Sequence, residues 1–384
     1  LGDFAKKVAF TIGYEGAASV GGMPLLVKIA ADRPAGFRYS DCEADGGDIR
    51  FADAEGKAIP FEIDTWNPQG ESFIWVKAPA VTKGTAFTMY YSGTPSAANE
   101  SFATWADYTG VWHLNDLGTD TTANSQGLYP NSTATADIDG HLSEKSFADE
   151  AGLFGKAFWA NDSTGWNVGN FKEGGVWVND GAALDAGGVF TISGWFKHND
   201  WSYNYDYIFS KRLNADNSGT PNGSFAVHLA RNGNDNIVQA RGASSARTRN
   251  ETAAASLKGV WTYFTFVYNG TTCSIYENGA LNSSGTIAVA SDNDEPLVFG
   301  NNVNIASGEA GNYAWNGWID EVRYVKGVAK SAEWVAAEYM AMAGDAFVTA
   351  SAVADVGSET PPVGPPEDPE TPQDPPDDPP EEPS

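Results

Sequence analysis

Gly259–Gly279 reads GVWTYFTFVYNGTTCSIYENG. Phe264, Phe266 and Tyr268 alternate with Thr265 and Val267, Asn269-Gly270 follows as a turn, and a return strand runs to a second Asn-Gly pair at Asn278-Gly279. Period-two alternation broken by Asn-Gly is a strong hairpin signal, because both residues tolerate the positive φ that tight hairpin turns require. The texture continues outward. In Phe190–His198 (FTISGWFKH), Ile192, Gly194 and Phe196 oppose Ser193, Trp195 and Lys197, so one side faces an intersheet core. GVWHLND (110–116), FGKAFWAND (154–162), YIFSKR (207–212), SFAVHLARNG (224–233), PLVFGNN (296–302) and NGWIDEVRYVKGVAKSAEWVAAEY (316–339) complete a run of antiparallel strands. Trp112, Trp195, Trp261 and Trp318 lie inside these strand segments and are expected in cores.

The first hundred residues are also β. KVAFTIGY (7–14), PLLVKIA (24–30), DIRF (48–51), IPFEIDTW (59–66), FIWV (73–76) and AFTMYY (86–91) are separated by Gly21-Gly22, Gly46-Gly47, Asn67-Pro68 and Lys83-Gly84. Near the end, Ser331 is placed to cap a helix on which Trp334, Val335, Glu338, Tyr339 and Met342 recur at helical spacing. Val335, Tyr339 and Met342 are expected to pack on the sandwich, with Glu338 facing water. Residues near Phe347–Ala352 read as a last strand rejoining the first domain. The fold class is all-β: two antiparallel β-sandwiches, then a short C-terminal helix and a disordered acidic tail. The expected boundaries are 1–104, 105–342, a return segment 343–357, and a spacer 358–384.

The chain has 384 residues with 50 acids against 23 Lys and Arg, a net charge of −27. Nucleic acid is excluded as a partner, because binding phosphates needs clustered cations. Ser358–Ser384 holds 11 of the 20 prolines and nine acids without a basic residue, so it reads as an extended spacer; without it the charge is −18. No stretch is apolar enough to enter a membrane: the alanine-rich segment Trp334–Val356 is interrupted by Glu338, Asp345 and Asp355. Cys42 and Cys273 fall in different domains and are expected as buried thiols. A chain opening on Leu1 fits a cleaved precursor or a trimmed protein.

The blocks DIRFADAEGKAIPFEIDTW (48–66), FIWVKAP (73–79) and MYYSG (89–93) resemble DUF2341, a domain of unknown function common in bacterial envelope proteins. The blocks from Trp105 to Met342 resemble a laminin-G-like, concanavalin A-like jelly roll. The pairing implies an exported protein, at the cell surface, outside the cell or in the periplasm. DUF2341 brings no catalytic residues to carry over.

Hydrolases of the concanavalin A-like fold use paired carboxylates on one strand. No such segment lies in 105–342, and Glu43-Ala-Asp45-Gly-Gly-Asp48 belongs to the first domain and is broken by a Gly-Gly turn. Nucleophile-elbow, zinc-protease, phosphate-loop and dinucleotide signatures are absent, and His113, His141, His198 and His228 do not cluster in sequence. Glycoside hydrolysis is therefore the weakest reading, and the chain is read as no enzyme. Calcium suits the oxygen-rich loops better, with Asp162, Asp292, Asp294 and Asp320 as the expected ligands, while Asp137-Ile-Asp139-Gly140 lacks the downstream glutamate of an EF-hand.

Sugar binding needs aromatic faces flanked by polar side chains. HNDWSYNYDYIF (198–209) puts Trp201, Tyr203, Tyr205 and Tyr207 on one side of the chain among Asn and Asp, and GNYAWNG (311–317) adds Asn312, Tyr313 and Trp315. The leading expectation is a non-catalytic carbohydrate-binding or adhesive module that takes a glycan or surface polymer at these rim loops, with calcium assisting. The alternative is an envelope scaffold acting through a protein partner.

Overall fold

The computed structural model describes residues 3–94, 100–115, 140–141, 147–160, 175–185, 188–199, 206–212, 223–232, 235–242, 247–249, 257–289, 295–301 and 315–357. The acidic spacer lies outside them.

Four β-sheets stack in sequence through three apolar layers. The outermost is six-stranded: Val348–Ala350, Lys6–Ile12, Ala86–Tyr91, Arg50–Asp53 and Ala58–Ile59 run side by side, and Ala354–Asp355 also pairs with Lys6–Ile12. The chain thus returns from the second domain to complete the first, with Ile12 opposite Val348 and Lys6 opposite Asp355. Next comes a three-stranded sheet, Pro24–Ile29, Ser72–Lys77 and Phe61–Thr65. Val8, Phe10, Phe51, Phe87 and Met89 from one sheet meet Leu25, Val27, Ile74 and Val76 from the other.

The jelly roll supplies the other two sheets. Gly317–Lys326 is central to an eight-stranded sheet, paired with Phe190–His198, Lys156–Ala160 and Gly110–Trp112. The seven-stranded sheet contains Val176–Val178, Leu297–Phe299, Tyr207–Arg212, Gly223–Asn232 and Asp235–Arg241. Between them lies the largest core, with Ile192, Phe196, Phe264, Phe266, Ile319 and Val322 facing Phe209, Phe225, Val227 and Phe299.

Both Asn-Gly pairs turn the chain, in different ways. Asn278 and Gly279 have φ of 49° and 79°, the left-handed pair of a two-residue hairpin joining Thr272–Glu277 to Ala280–Thr286. At the first pair the loop is longer: Asn269 N–H donates to Thr272 O, and its side-chain oxygen accepts from Thr271 and Thr272 N–H. Ser331 caps helix Ala332–Ala343, its hydroxyl accepting from Trp334 N–H at 3.2 Å.

The third apolar layer joins the domains. Pro24–Ile29 and Ser72–Lys77 are buried on both faces: Leu26, Phe73 and Trp75 turn away from their own core toward Trp105, Tyr108, Trp195, Tyr263, Val325 and Met342. Trp195 is thus buried as expected, but in the seam between domains rather than between the jelly-roll sheets. Glu338 departs from expectation outright. It is 2 % exposed, because its helix packs that side into the same seam.

Candidate functional site

The loops carrying Trp201, Tyr203, Tyr205, Asn312, Tyr313, Asp162, Asp292 and Asp294 lie outside the described residues. Three of their stems do lie within them. Gly317 pairs with Ala160 on one side and with His198 on the other, so the chain enters 161–174, leaves 302–314 and enters 200–205 at one end of the eight-stranded sheet. Asn199 N–H donates to Asn316 O at 2.8 Å. Glycine is required at 317, since a Cβ would stand 2.1 Å from Lys197 O. Trp315 is no sugar platform: it is 2 % exposed, its ring 4.7 Å from that of His198 and packed on Phe196. His198 in turn contacts Asp206 Oδ2 at 3.2 Å, fastening the far side of the 200–205 loop.

On the seven-stranded sheet, Tyr207, His228 and Gln239 stand opposite one another across three strands. The rings of Tyr207 and His228 stack at 4.9 Å, and Gln239 Nε2 lies 3.1 Å from His228 Nε2. Their neighbours Val227, Phe209 and Ala240 point into the core, which places this row on the opposite face.

The densest polar chemistry lies in the domain seam. Gly317–Lys326 contains a β-bulge in which Glu321 and Val322 together oppose Gly194, with Glu321 at φ 50°. Ile319, Val322 and Tyr324 face the jelly-roll core, so the extra residue sends Asp320, Glu321 and Arg323 to the seam. Asp320 is therefore not a rim ligand for calcium as expected; it is 0 % exposed beneath the first domain.

Facing these groups are Glu62 and Asp64 from Phe61–Thr65 and His113 just after Gly110–Trp112. His113 Nδ1 lies 2.6 Å from Glu321 Oε1, and its Nε2 lies 3.2 Å from Glu62 Oε2. Glu62 also accepts from Ser101 Oγ at 2.8 Å and from Trp105 Nε1. Arg323 donates to Glu321 Oε2 at 3.1 Å and to Glu338 Oε1 at 3.2 Å, and its guanidinium lies over Trp75 at 4.5 Å and Trp105 at 4.9 Å. Glu338 further accepts from Tyr108 at 2.7 Å and Tyr263 at 2.8 Å.

Asp64 and Asp320 are less well served. Asp64 Oδ1 accepts from Asn115 Nδ2 at 2.6 Å and Asp320 Oδ2 from Leu153 N–H at 2.9 Å, yet Asp64 Oδ2 and Asp320 Oδ1 are buried without a partner. Burial and the charges of Glu321 and Glu62 push the Asp64 carboxyl up to about 8, against the pull of His113. Burial and Glu321 likewise raise Asp320. Burial would raise Glu321 too, but His113 and Arg323 hold it below the usual carboxylate range. For His113, burial favours the neutral ring, but Glu321, Asp64 and Glu62 outweigh it and raise the ring well above the usual imidazole range.

The DUF2341 family, a domain of unknown function, matches residues 45–126, and Laminin_G_3, of the concanavalin A-like lectin/glucanases superfamily, matches residues 170–336. The two domains follow one another in the order that the sequence blocks indicate. The DUF2341 match runs on through Trp105, Tyr108 and His113, so it includes the segment that seals the seam. No curated protein sequence matches the chain.

Similar solved structures include domain 4 of AbnA, a GH43 extracellular arabinanase from Geobacillus stearothermophilus, in complex with arabinotriose. It is 20% identical, over 60% of this chain and 97% of that one, with a TM-score of 0.39. A heptameric SAP-like pentraxin from Limulus polyphemus is 15% identical over 44% of this chain and 82% of that one, with a TM-score of 0.31. The binding domain of botulinum neurotoxin DC in complex with SialylT is 13% identical, with a TM-score of 0.32, over 45% of this chain and 41% of that one.

Proposed function

We propose that the protein is a non-catalytic carbohydrate-binding or adhesive module of an exported protein, taking a glycan or surface polymer at the end of the jelly roll. One observation carries this reading: Ala160, His198 and Gly317 pair side by side, so the stems of three loops rich in aromatic, Asn and Asp residues share one edge. The opposite flank of the eight-stranded sheet is filled by the first domain, which leaves this end for a ligand. The concanavalin A-like family supports the reading at the level of fold, and fold alone does not assign a ligand. Calcium at Asp162, Asp292 and Asp294 belongs to the same proposal, without Asp320.

The test is a glycan array probed with the full chain, with and without a chelator, followed by Trp201→Ala, Tyr203→Ala and Tyr313→Ala. Binding to a defined glycan class that falls at least about tenfold in a loop variant supports the reading; a loss of that size is about 1.4 kcal/mol, as expected for one aromatic contact. A blank array in both buffers refutes it, and release of reducing sugar from a polysaccharide panel would make the protein a hydrolase. The fused four-sheet stack favours one further reading, an envelope scaffold with a protein partner, since domains locked through a buried seam hold a fixed spacing. Crosslinking in envelope extracts that yields no reproducible partner removes it.

A further inference from the structure

The seam contains a constellation that sugar binding does not use. Asp64, His113 and Glu321 each offer one ligand atom, and these atoms lie within 4.8 Å of one another. Every candidate ligand is held from behind by a second group: Asp64 by Asn115, His113 by Glu62, Glu321 by Arg323, and the neighbouring Asp320 by the Leu153 amide. Metal-binding histidines and carboxylates are oriented this way, the outer atom fixed so that the inner one is presented.

Two buried carboxylate oxygens nearby, Asp64 Oδ2 and Asp320 Oδ1, have no hydrogen-bond partner, and Asp320 as a whole is 0 % exposed. Asp320 directly precedes Glu321 in the bulged strand and faces the same seam. A proton shared between His113 and Glu321 leaves both oxygens unserved, and each buried orphan of this kind costs about 1–3 kcal/mol or more. One doubly charged cation held by Asp64, His113 and Glu321 serves the Asp64 oxygen directly and offsets the buried charge beside Asp320.

We propose that Asp64, His113 and Glu321, with Asp320 beside them, bind one divalent transition-metal cation that ties the two domains together. The donor set of one imidazole nitrogen and carboxylate oxygens suits zinc or manganese; calcium takes oxygen ligands alone. Bonds of about 2.1 Å span ligand atoms up to about 4.2 Å apart, so a small inward shift closes the set. The strained backbone at Glu321, and at Leu114 next to His113 with φ 58°, is the kind that surrounding structure sustains at functional sites.

The experiment uses the full chain, stripped with a chelator and titrated with zinc chloride by calorimetry, with bound metal counted by elemental analysis. One equivalent is expected to bind, zinc and manganese ahead of calcium. Glu62→Gln should weaken zinc about 10- to 100-fold through His113, and Asp64→Asn by more than that. Asp64→Asn keeps the oxygen that accepts from Asn115 and removes a charge from an acidic site, so it should fold; circular dichroism checks this. Cobalt(II) offers a reading without any variant, since its paramagnetism should displace the His113 ring signals in the nuclear magnetic resonance spectrum. The proposal is overturned by zinc binding weaker than about 1 mM, by equal affinity in the folded Asp64→Asn variant, by preference for calcium, or by unshifted His113 signals in cobalt-loaded protein.

Discussion

Replacing Arg323 by methionine should destabilise the whole molecule rather than one domain. Arg323 is 1 % exposed, bonded to Glu321 and Glu338, and lies over Trp75 and Trp105. Methionine fills much of the same volume and stays apolar against the indoles, so the cavity contribution is small. What remains is the loss of the cation from two buried carboxylates. Removing one partner of a buried ion pair costs about 3–5 kcal/mol, and losing a desolvated cation–π contact about 1–2 more. Urea unfolding in a chelating buffer, followed by tryptophan fluorescence and far-ultraviolet circular dichroism, should show one transition for the wild type. In Arg323→Met the midpoint should fall and the transition divide, because the seam no longer couples the sandwiches. Adding Glu338→Gln should restore about 2 kcal/mol, since the carboxylate left uncompensated is then gone. A loss below about 1 kcal/mol, or single-variant losses that add to within about 0.5 kcal/mol, would refute this account of the seam.

Trp315→Ala should cost about 3–5 kcal/mol of stability, as expected for a buried indole, and an unchanged melting curve would return Trp315 to the list of exposed ligand contacts. At Gly279 the backbone has φ 79° and a Cβ would stand 3.0 Å from Tyr339 Cβ, whereas Gly259 has φ 71° with open space. Gly259→Ala should cost about 1 kcal/mol and Gly279→Ala about 1–2 kcal/mol more, and equal losses would show that the turn does not rest on the helix. Burial pushes the Cys273 thiol up to about 12, and burial with Asp48 and Asp41 pushes Cys42 up as well. At pH 8 only about one Cys273 in ten thousand is thiolate, so Ellman's reagent should find both thiols slow in the native protein and fast in urea. A thiol that reacts as quickly folded as unfolded contradicts that burial.

What was legible in the sequence was local. The hairpins show because Asn-Gly and alternation act over a few residues, and the helix start shows because Ser331 needs only Trp334 N–H to cap it. The seam was half legible. PLLVKI and SFIWVK are near-continuous apolar runs, and a strand apolar on both faces must be covered on both. Glu338 stands three residues after Val335 and four before Met342, inside an apolar stripe, so burial was the consistent reading. His113 was beyond reach, because its partners Glu62 and Glu321 are 51 and 208 residues away. Only the topology brings them together.

The acid pair inside GWIDEVRYVK shows how one irregularity creates this chemistry. Strict alternation would send Asp320 and Glu321 to opposite faces and drive one of them into a core of Phe196, Phe264 and Phe266. An ionised carboxylate there would lack any partner, at a cost far above that of a bulge. Accepting one extra residue, with Glu321 in a left-handed conformation, costs about 1–2 kcal/mol and turns both acids outward. Outward, however, is not solvent but a second domain whose strand carries Glu62 and Asp64. The bulge removes a charge from one core only by concentrating charge in the seam, where His113 and Arg323 offset part of it. Burial and the neighbouring acids raise Asp64 and Asp320 instead, and these are also the two carboxylates of the seam with an oxygen to spare. If the bulge exists to serve that concentration, deleting Glu321 should regularise the strand and lower zinc affinity while leaving the jelly-roll core intact. Retained zinc affinity in a folded deletion variant would remove Glu321 from the ligand set and show that the bulge answers to packing alone.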